Sequence, residues 1–113
     1  MEGVIEMGAT KVVTDTTFDA EVLRNSKPVI VDFWAEWCEP CHLLAPVLED
    51  IAGEHADNLD VAKLNVDENP EIAQRYQIMT IPNVSVFLNG EIVKQIVGAK
   101  TRAALFNELA TFI

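Results

Sequence analysis

Six consecutive residues, Val29-Ile30-Val31-Asp32-Phe33-Trp34, are apolar on both alternations except at Asp32. A strand with one wet face carries polar residues at every second position. This segment does not, so it predicts a central strand covered on both faces. Helices supply such cover, and helical periodicity follows at once. From Cys38 to His55, the residues Cys41, Leu44, Ala45, Leu48, Ile51, Ala52 and His55 recur at steps of three and four. Glu49, Asp50 and Glu54 lie off that stripe. Pro46 has no N–H to give the His42 carbonyl, so a kink is expected inside this helix.

The rest of the chain reads in the same terms. Lys11-Val12-Val13 predicts a short first strand. Thr16-Thr17-Phe18-Asp19 predicts a helix start with Thr16 as cap, burying Phe18, Val22 and Leu23 and stopping at Asn25-Ser26-Lys27-Pro28. Leu59 to Val66 reads as a strand, and Asn69-Pro70-Glu71 opens a short helix reaching Tyr76. Val84–Leu88 and Ile92–Val97 flank Asn89-Gly90, a pair suited to the positive φ angles of a tight hairpin turn. Thr101 opens a last helix that turns Leu105, Leu109 and Phe112 inward. The order β-α-β-α-β-α-β-β-α specifies an α/β fold, a central mixed β-sheet flanked by helices on both faces. At 113 residues there is room for one domain. Residues 1–9 lack any period and read as a flexible N-terminal arm, leaving 10–113 as a single domain.

Charge narrows the partners. Acids outnumber bases 18 to 8, a net charge of −10, and that field repels nucleic acid and anionic membrane alike. No apolar run approaches the roughly 20 residues that span a bilayer. Met1–Gly8 carries Glu2 and Glu6 without a basic residue, unlike a secretory signal. The expectation is a cytoplasmic monomer.

The two cysteines stand as Cys38-Glu39-Pro40-Cys41. In a reducing compartment a lone C-x-x-C is redox-active or metal-binding more often than structural, and so short a loop gains little from a staple. Its place after a buried strand and at a helix start has a chemical use. Unpaired N–H groups and the helix dipole stabilise a thiolate there, which marks Cys38 as a solvent-facing nucleophile. Cys41, one turn later and pointing inward, is placed to resolve a mixed disulfide. Pro40 holds the loop geometry and adds no N–H in need of a partner. A metal site is the weaker reading. Cys38, Cys41, His42 and His55 are ligand types, but His55 lies several turns down the helix and reads as a half-buried core histidine.

The segment Val31-Asp32-Phe33-Trp34-Ala35-Glu36-Trp37-Cys38-Glu39-Pro40-Cys41 resembles the active-site segment of the thioredoxin family, bacterial type. Ala45-Pro46, Val61-Ala62-Lys63-Leu64-Asn65-Val66-Asp67, Ile81-Pro82 and Val97-Gly98-Ala99 extend the resemblance from about Val12 to Ile113. It implies the thioredoxin fold and reduction of protein disulfides through a Cys38/Cys41 dithiol cycle. It implies no bound cofactor, and electrons that come from NADPH through thioredoxin reductase. It implies that Asp32 is a buried carboxyl trading protons with Cys41, that Lys63 is its charged neighbour, and that Pro82 is the cis proline beside the disulfide. Trp37, Ile81, Pro82, Gly98 and Ala99, with Glu39 and Pro40 of the motif, then form the rim on which disulfide-bearing substrate proteins dock. Two departures concern charge. The family's motif reads C-G-P-C followed by Lys or Arg, whereas here Glu39 replaces Gly and His42 the base. No Lys or Arg stands between Lys27 and Lys63, and a carboxylate beside Cys38 opposes its thiolate. A third departure is Asn83, where the family often has Thr. The alternative function is a binding module on the same fold, with redox turnover secondary.

Overall fold

The computed structural model describes residues 9–113, so the arm expected over 1–9 lies outside the described residues as far as residue 8. Five strands form one sheet in the order β1-β3-β2-β4-β5. They are β1 (Lys11–Val12), β2 (Val29–Trp34), β3 (Asp60–Asn65), β4 (Asn83–Leu88) and β5 (Glu91–Val97). β3 runs parallel to β1 and β2, while β4 is antiparallel to β2 and β5, so the sheet is mixed. The helices are α1 (Glu39–Glu54), α2 (Pro70–Arg75) and α3 (Arg102–Leu109).

Both faces of β2 are covered, as its apolar run predicts. Val29, Val31 and Phe33 pack with Phe18, Val22, Leu64, Ile72 and Phe87. On the other face Ile30 meets Leu44, Leu48 and Ile51 of α1 and Leu105 and Leu109 of α3. Side chains alternate along a strand, so Asp32 shares the α1 face with Ile30 and Trp34. The apolar stripe of α1 also takes in Val47, and the helix continues through an exposed Pro46. Asn89 and Gly90 turn the β4–β5 hairpin at φ of 54° and 83°, the geometry their sequence demands. Thr101 Oγ1 accepts from Ala104 N–H at 3.1 Å and caps α3, and Phe112, half-buried, packs against the core.

The expected cap at Thr16 is a correction. Thr14 N–H donates to Thr17 Oγ1 at 2.8 Å, Thr16 is exposed, and the helix is a single π-turn over Asp19–Leu23. The reason is tertiary. Asp15 is held by Asn69 Oδ1, which accepts its N–H at 2.9 Å, and the Asp15 carboxylate accepts from Glu71 N–H at 3.2 Å and Ile72 N–H at 2.9 Å. Those are the free donors of the first turn of α2, which Asn69 itself does not cap with its side chain. The chain bends at Thr14–Thr17 to bring Asp15 to another helix.

Candidate active site

β2 and β3 are parallel, so their carboxyl ends lie side by side: Trp34 pairs with Asn65, and Val66 N–H donates to Trp34 O at 2.9 Å. The loops leaving both strands therefore meet at one edge of the sheet, the usual place for a site in an α/β fold. Cys38 enters that place as the N-cap of α1, its N–H bonded to Ala35 O at 3.1 Å. Its Sγ accepts the Cys41 N–H at 3.3 Å, the bond a side-chain cap makes. Glu39 and Pro40 occupy the first turn, where a missing proline N–H costs nothing. Cys38 and Cys41, with Cα atoms 5.3 Å apart, are joined as a disulfide.

The expectation that Cys38 faces solvent is corrected. Cys38 is 4% exposed and Cys41 2%, packed with Ala35 under Trp34, Val66 and Ile81. That cover comes from three separate segments, which no local pattern reveals. Ile81–Pro82 is a cis peptide. Gly98 N–H donates to Pro82 O at 2.9 Å, and Gly98 sits at φ 91°, so this position needs glycine for its backbone. The end of β5 is thereby tied to the Pro82 loop, and Ala99 is exposed beyond it. Trp37 is 69% exposed, yet its ring is fixed, because Nε1 donates to Asp67 Oδ2 at 2.8 Å. Asn65 Oδ1 shapes the Asp67 turn by accepting the N–H groups of Asp67 and Glu68. Asp67 was not among the residues that the sequence singled out for the site. The available signal was an acid just past the carboxyl end of a parallel strand.

Asp32 is fully buried on β2, and neither carboxylate oxygen has a hydrogen-bond partner among the described residues. Burial pushes its pKa up to about 7, against the smaller pull of Lys63 in the opposite direction. Lys63 is paired with Asp32 in the β2–β3 register, but its ammonium rests 4.9 Å from the centre of the Trp34 ring. It acts on Asp32 through its field rather than as a bonded partner. His42, exposed, bonds through Nε2 to Glu36 O at 2.8 Å and packs edge-on to Trp34. His55 is half-buried at the far end of α1. Among the described residues no three His, Cys, Asp or Glu side chains converge as a metal site. Asn83 lies buried on the α2 face, its Oδ1 accepting from Ser85 Oγ at 2.7 Å.

A buried disulfide at a helix N-terminus, a buried carboxyl with a raised pKa on the same face of β2 and an exposed Trp37 together suit thiol–disulfide exchange, whereas Pro82, expected on the rim, is buried. Glu39, exposed in the first turn beside Cys38, opposes the thiolate of the reduced form. Replacing Glu39 by Gln should lower the pH midpoint of Cys38 alkylation by a few tenths of a unit at low salt. The same change should raise the reduction potential by no more than about 25 mV. Salt should shrink both effects. An alkylation midpoint that stays put at low ionic strength would show that Glu39 does not act by charge.

The family model for thioredoxin matches residues 9–111. A thioredoxin of Mycobacterium bovis is 54% identical over 108 residues, covering 96% of this chain and 93% of that protein. One from Streptomyces clavuligerus is 55% identical over 98 residues, 87% of this chain and 91% of the relative. A bifunctional thioredoxin reductase/thioredoxin of Mycobacterium leprae is 53% identical over 106 residues, 94% of this chain and 23% of that longer protein.

Proposed function

The chain belongs to the thioredoxin family of thiol–disulfide oxidoreductases, and from that premise we propose how its residues divide the work. The observation that carries the reading is the Cys38–Cys41 disulfide across the first turn of α1. In the reduced protein the Cys38 thiolate attacks one sulfur of a substrate disulfide. A Cys38–substrate bond forms, and the substrate's other sulfur leaves as a thiolate and takes a proton. Cys41 then gives its proton to the Asp32 carboxylate and attacks Cys38 Sγ. The Cys38–Cys41 bond forms as the mixed disulfide breaks, and the substrate's remaining sulfur leaves as a second thiolate that takes a proton from water. Two electrons have then passed to the substrate, and the protein is left oxidised. Asp32 suits its part, because a carboxyl with a pKa of about 7 both takes and returns a proton near neutral pH. Lys63 sets how readily it does so. An extended segment would lie beside the disulfide on exposed Trp37, Glu39, Pro40 and Ala99, with Ile81 and Gly98 half-buried around a buried cis Pro82.

Return to the dithiol needs two electrons, supplied by NADPH through thioredoxin reductase. The relative that joins a reductase and a thioredoxin in one chain supports that partner. A cycle of this kind runs in a compartment that keeps thiols reduced, which supports a cytoplasmic location. Reduction of a protein disulfide such as insulin's, with dithiothreitol as the electron source, tests the reading. The wild-type protein should accelerate the reaction, and Cys38→Ser should return it to the rate of dithiothreitol alone. A wild-type protein that gave no acceleration would favour the binding-module reading.

A further inference from the structure

We propose that this protein selects disulfides flanked by lysine or arginine, an inference that rests on the reductase reading above and names the substrate class of the same site. Glu36 and Glu39 flank Trp37 and Cys38, and Asp67 and Glu68 follow β3 at the same edge; all four are exposed. Asp67 is held to the site through its bond to the Trp37 indole, and Glu36 through its carbonyl contact with His42. None of the four carboxylates is ion-paired among the described residues, whereas Lys11, Lys27, Arg75, Lys94 and Arg102 all pair with acids elsewhere. The Lys63 ammonium is withdrawn onto the Trp34 ring. Lys100, past Ala99, lies within electrostatic reach of Glu108 on α3. One flank of the disulfide thus presents four exposed carboxylates with no ion-paired base among the described residues, on a chain of net charge −10.

The same flank offers an apolar seat. A groove of about 560 Å³ is lined by Val66, Ala73, Ile78 and Met79 among residues that carry no charge. Val66 also packs on the disulfide, so one side chain borders both it and the groove, and Met79 is 91% exposed at the groove's edge. Asp67 and Glu68 fall in sequence between Val66 and Pro70, both lining residues. The occupant that fits is an extended substrate segment with one apolar side chain and basic neighbours. Carboxylates on the rim speed the encounter of such a segment and repel an acidic one.

Two synthetic peptides test this, each with one intramolecular disulfide and the same apolar residue beside it, flanked by Lys in one and by Glu in the other. With the reduced protein in stoichiometric excess, the second-order rate constants for thiol release should favour the Lys peptide by about tenfold or more at low salt, the ratio falling towards one at about 0.5 M salt. The triple change Glu36→Gln, Glu39→Gln and Glu68→Gln should bring the low-salt ratio most of the way to one. Equal rates for the two peptides would overturn charge selection while leaving the reductase reading intact. A preference that survives high salt or the triple change would also overturn it, since the selectivity would then come from shape. Failure to reduce either peptide, or insulin, would remove the reductase reading and this inference together.

Discussion

Asp32→Ala should stabilise the oxidised protein by roughly 2–3 kcal/mol at pH 8 and leave it no more stable than wild type near pH 4. The carboxyl's pKa is raised by burial from 3.8 in the open chain to about 7 in the fold. Below the unfolded value both states are protonated, and the group contributes no charge penalty. As pH rises past it, the unfolded chain ionises while the folded one holds its proton, so unfolding gains. The penalty grows up to the folded pKa and is then constant, at about 4 kcal/mol for three pH units. Removing the carboxyl abolishes that penalty, less about 1 kcal/mol for the small void left behind. Denaturant melts at the two pH values read the difference directly. On the proposed division of roles the same variant removes the acceptor of the Cys41 proton, so disulfide reduction should slow by about ten- to a hundredfold near neutral pH. A variant destabilised at pH 8, with full activity, would refute both halves.

A buried acid with no hydrogen-bond partner among the described residues is costly to the fold. Ile30 and Trp34 share its face of β2, with α1 above them, and Val84 of β4 is its antiparallel neighbour. An apolar residue would pack there without penalty. Lys63 lies close enough to moderate the shift but spends its direct contact on Trp34. The carboxyl therefore keeps both its protonation states within reach instead of being locked as an ion pair.

Local chemistry explains what was legible in the sequence. β2 showed itself because a strand buried on both faces has no polar alternation, and Asp32 stood out against that run. Asn89-Gly90 announced its turn because few other pairs tolerate two positive φ angles. The cysteines could be placed because strand, turn and helix N-terminus follow one another directly. Contacts made by distant segments were not legible. Asp15 caps α2 from the far side of the sequence, which is why Thr16 was the wrong cap. Val66 and Ile81 close over Cys38, so a residue expected at the surface is covered. Asp67 meets Trp37 only because β2 and β3 end together.

Cys41→Ser should accumulate mixed disulfides with substrate proteins, and Cys38→Ser should accumulate almost none. The two thiols differ little in exposure in the oxidised form, so the asymmetry must come from what stabilises each sulfur. Cys38 Sγ caps α1, where it receives the Cys41 N–H and the positive end of the helix dipole. A thiolate at that point is favoured and attacks first. Cys41 lies inside the first turn, above the face that carries Asp32, and must lose a proton there before it can react. Its reach is to Cys38, with which it already bonds, rather than to an incoming chain. With Cys41 replaced by Ser, the second exchange has no nucleophile and the Cys38–substrate bond remains. With Cys38 replaced, the remaining thiol is buried inside the first turn, away from the N-cap position. Non-reducing gels of extract passed over each immobilised variant, then eluted with dithiothreitol, separate the cases. Equal recovery from both would mean that either sulfur can attack, and the division of labour drawn from the helix start would be wrong.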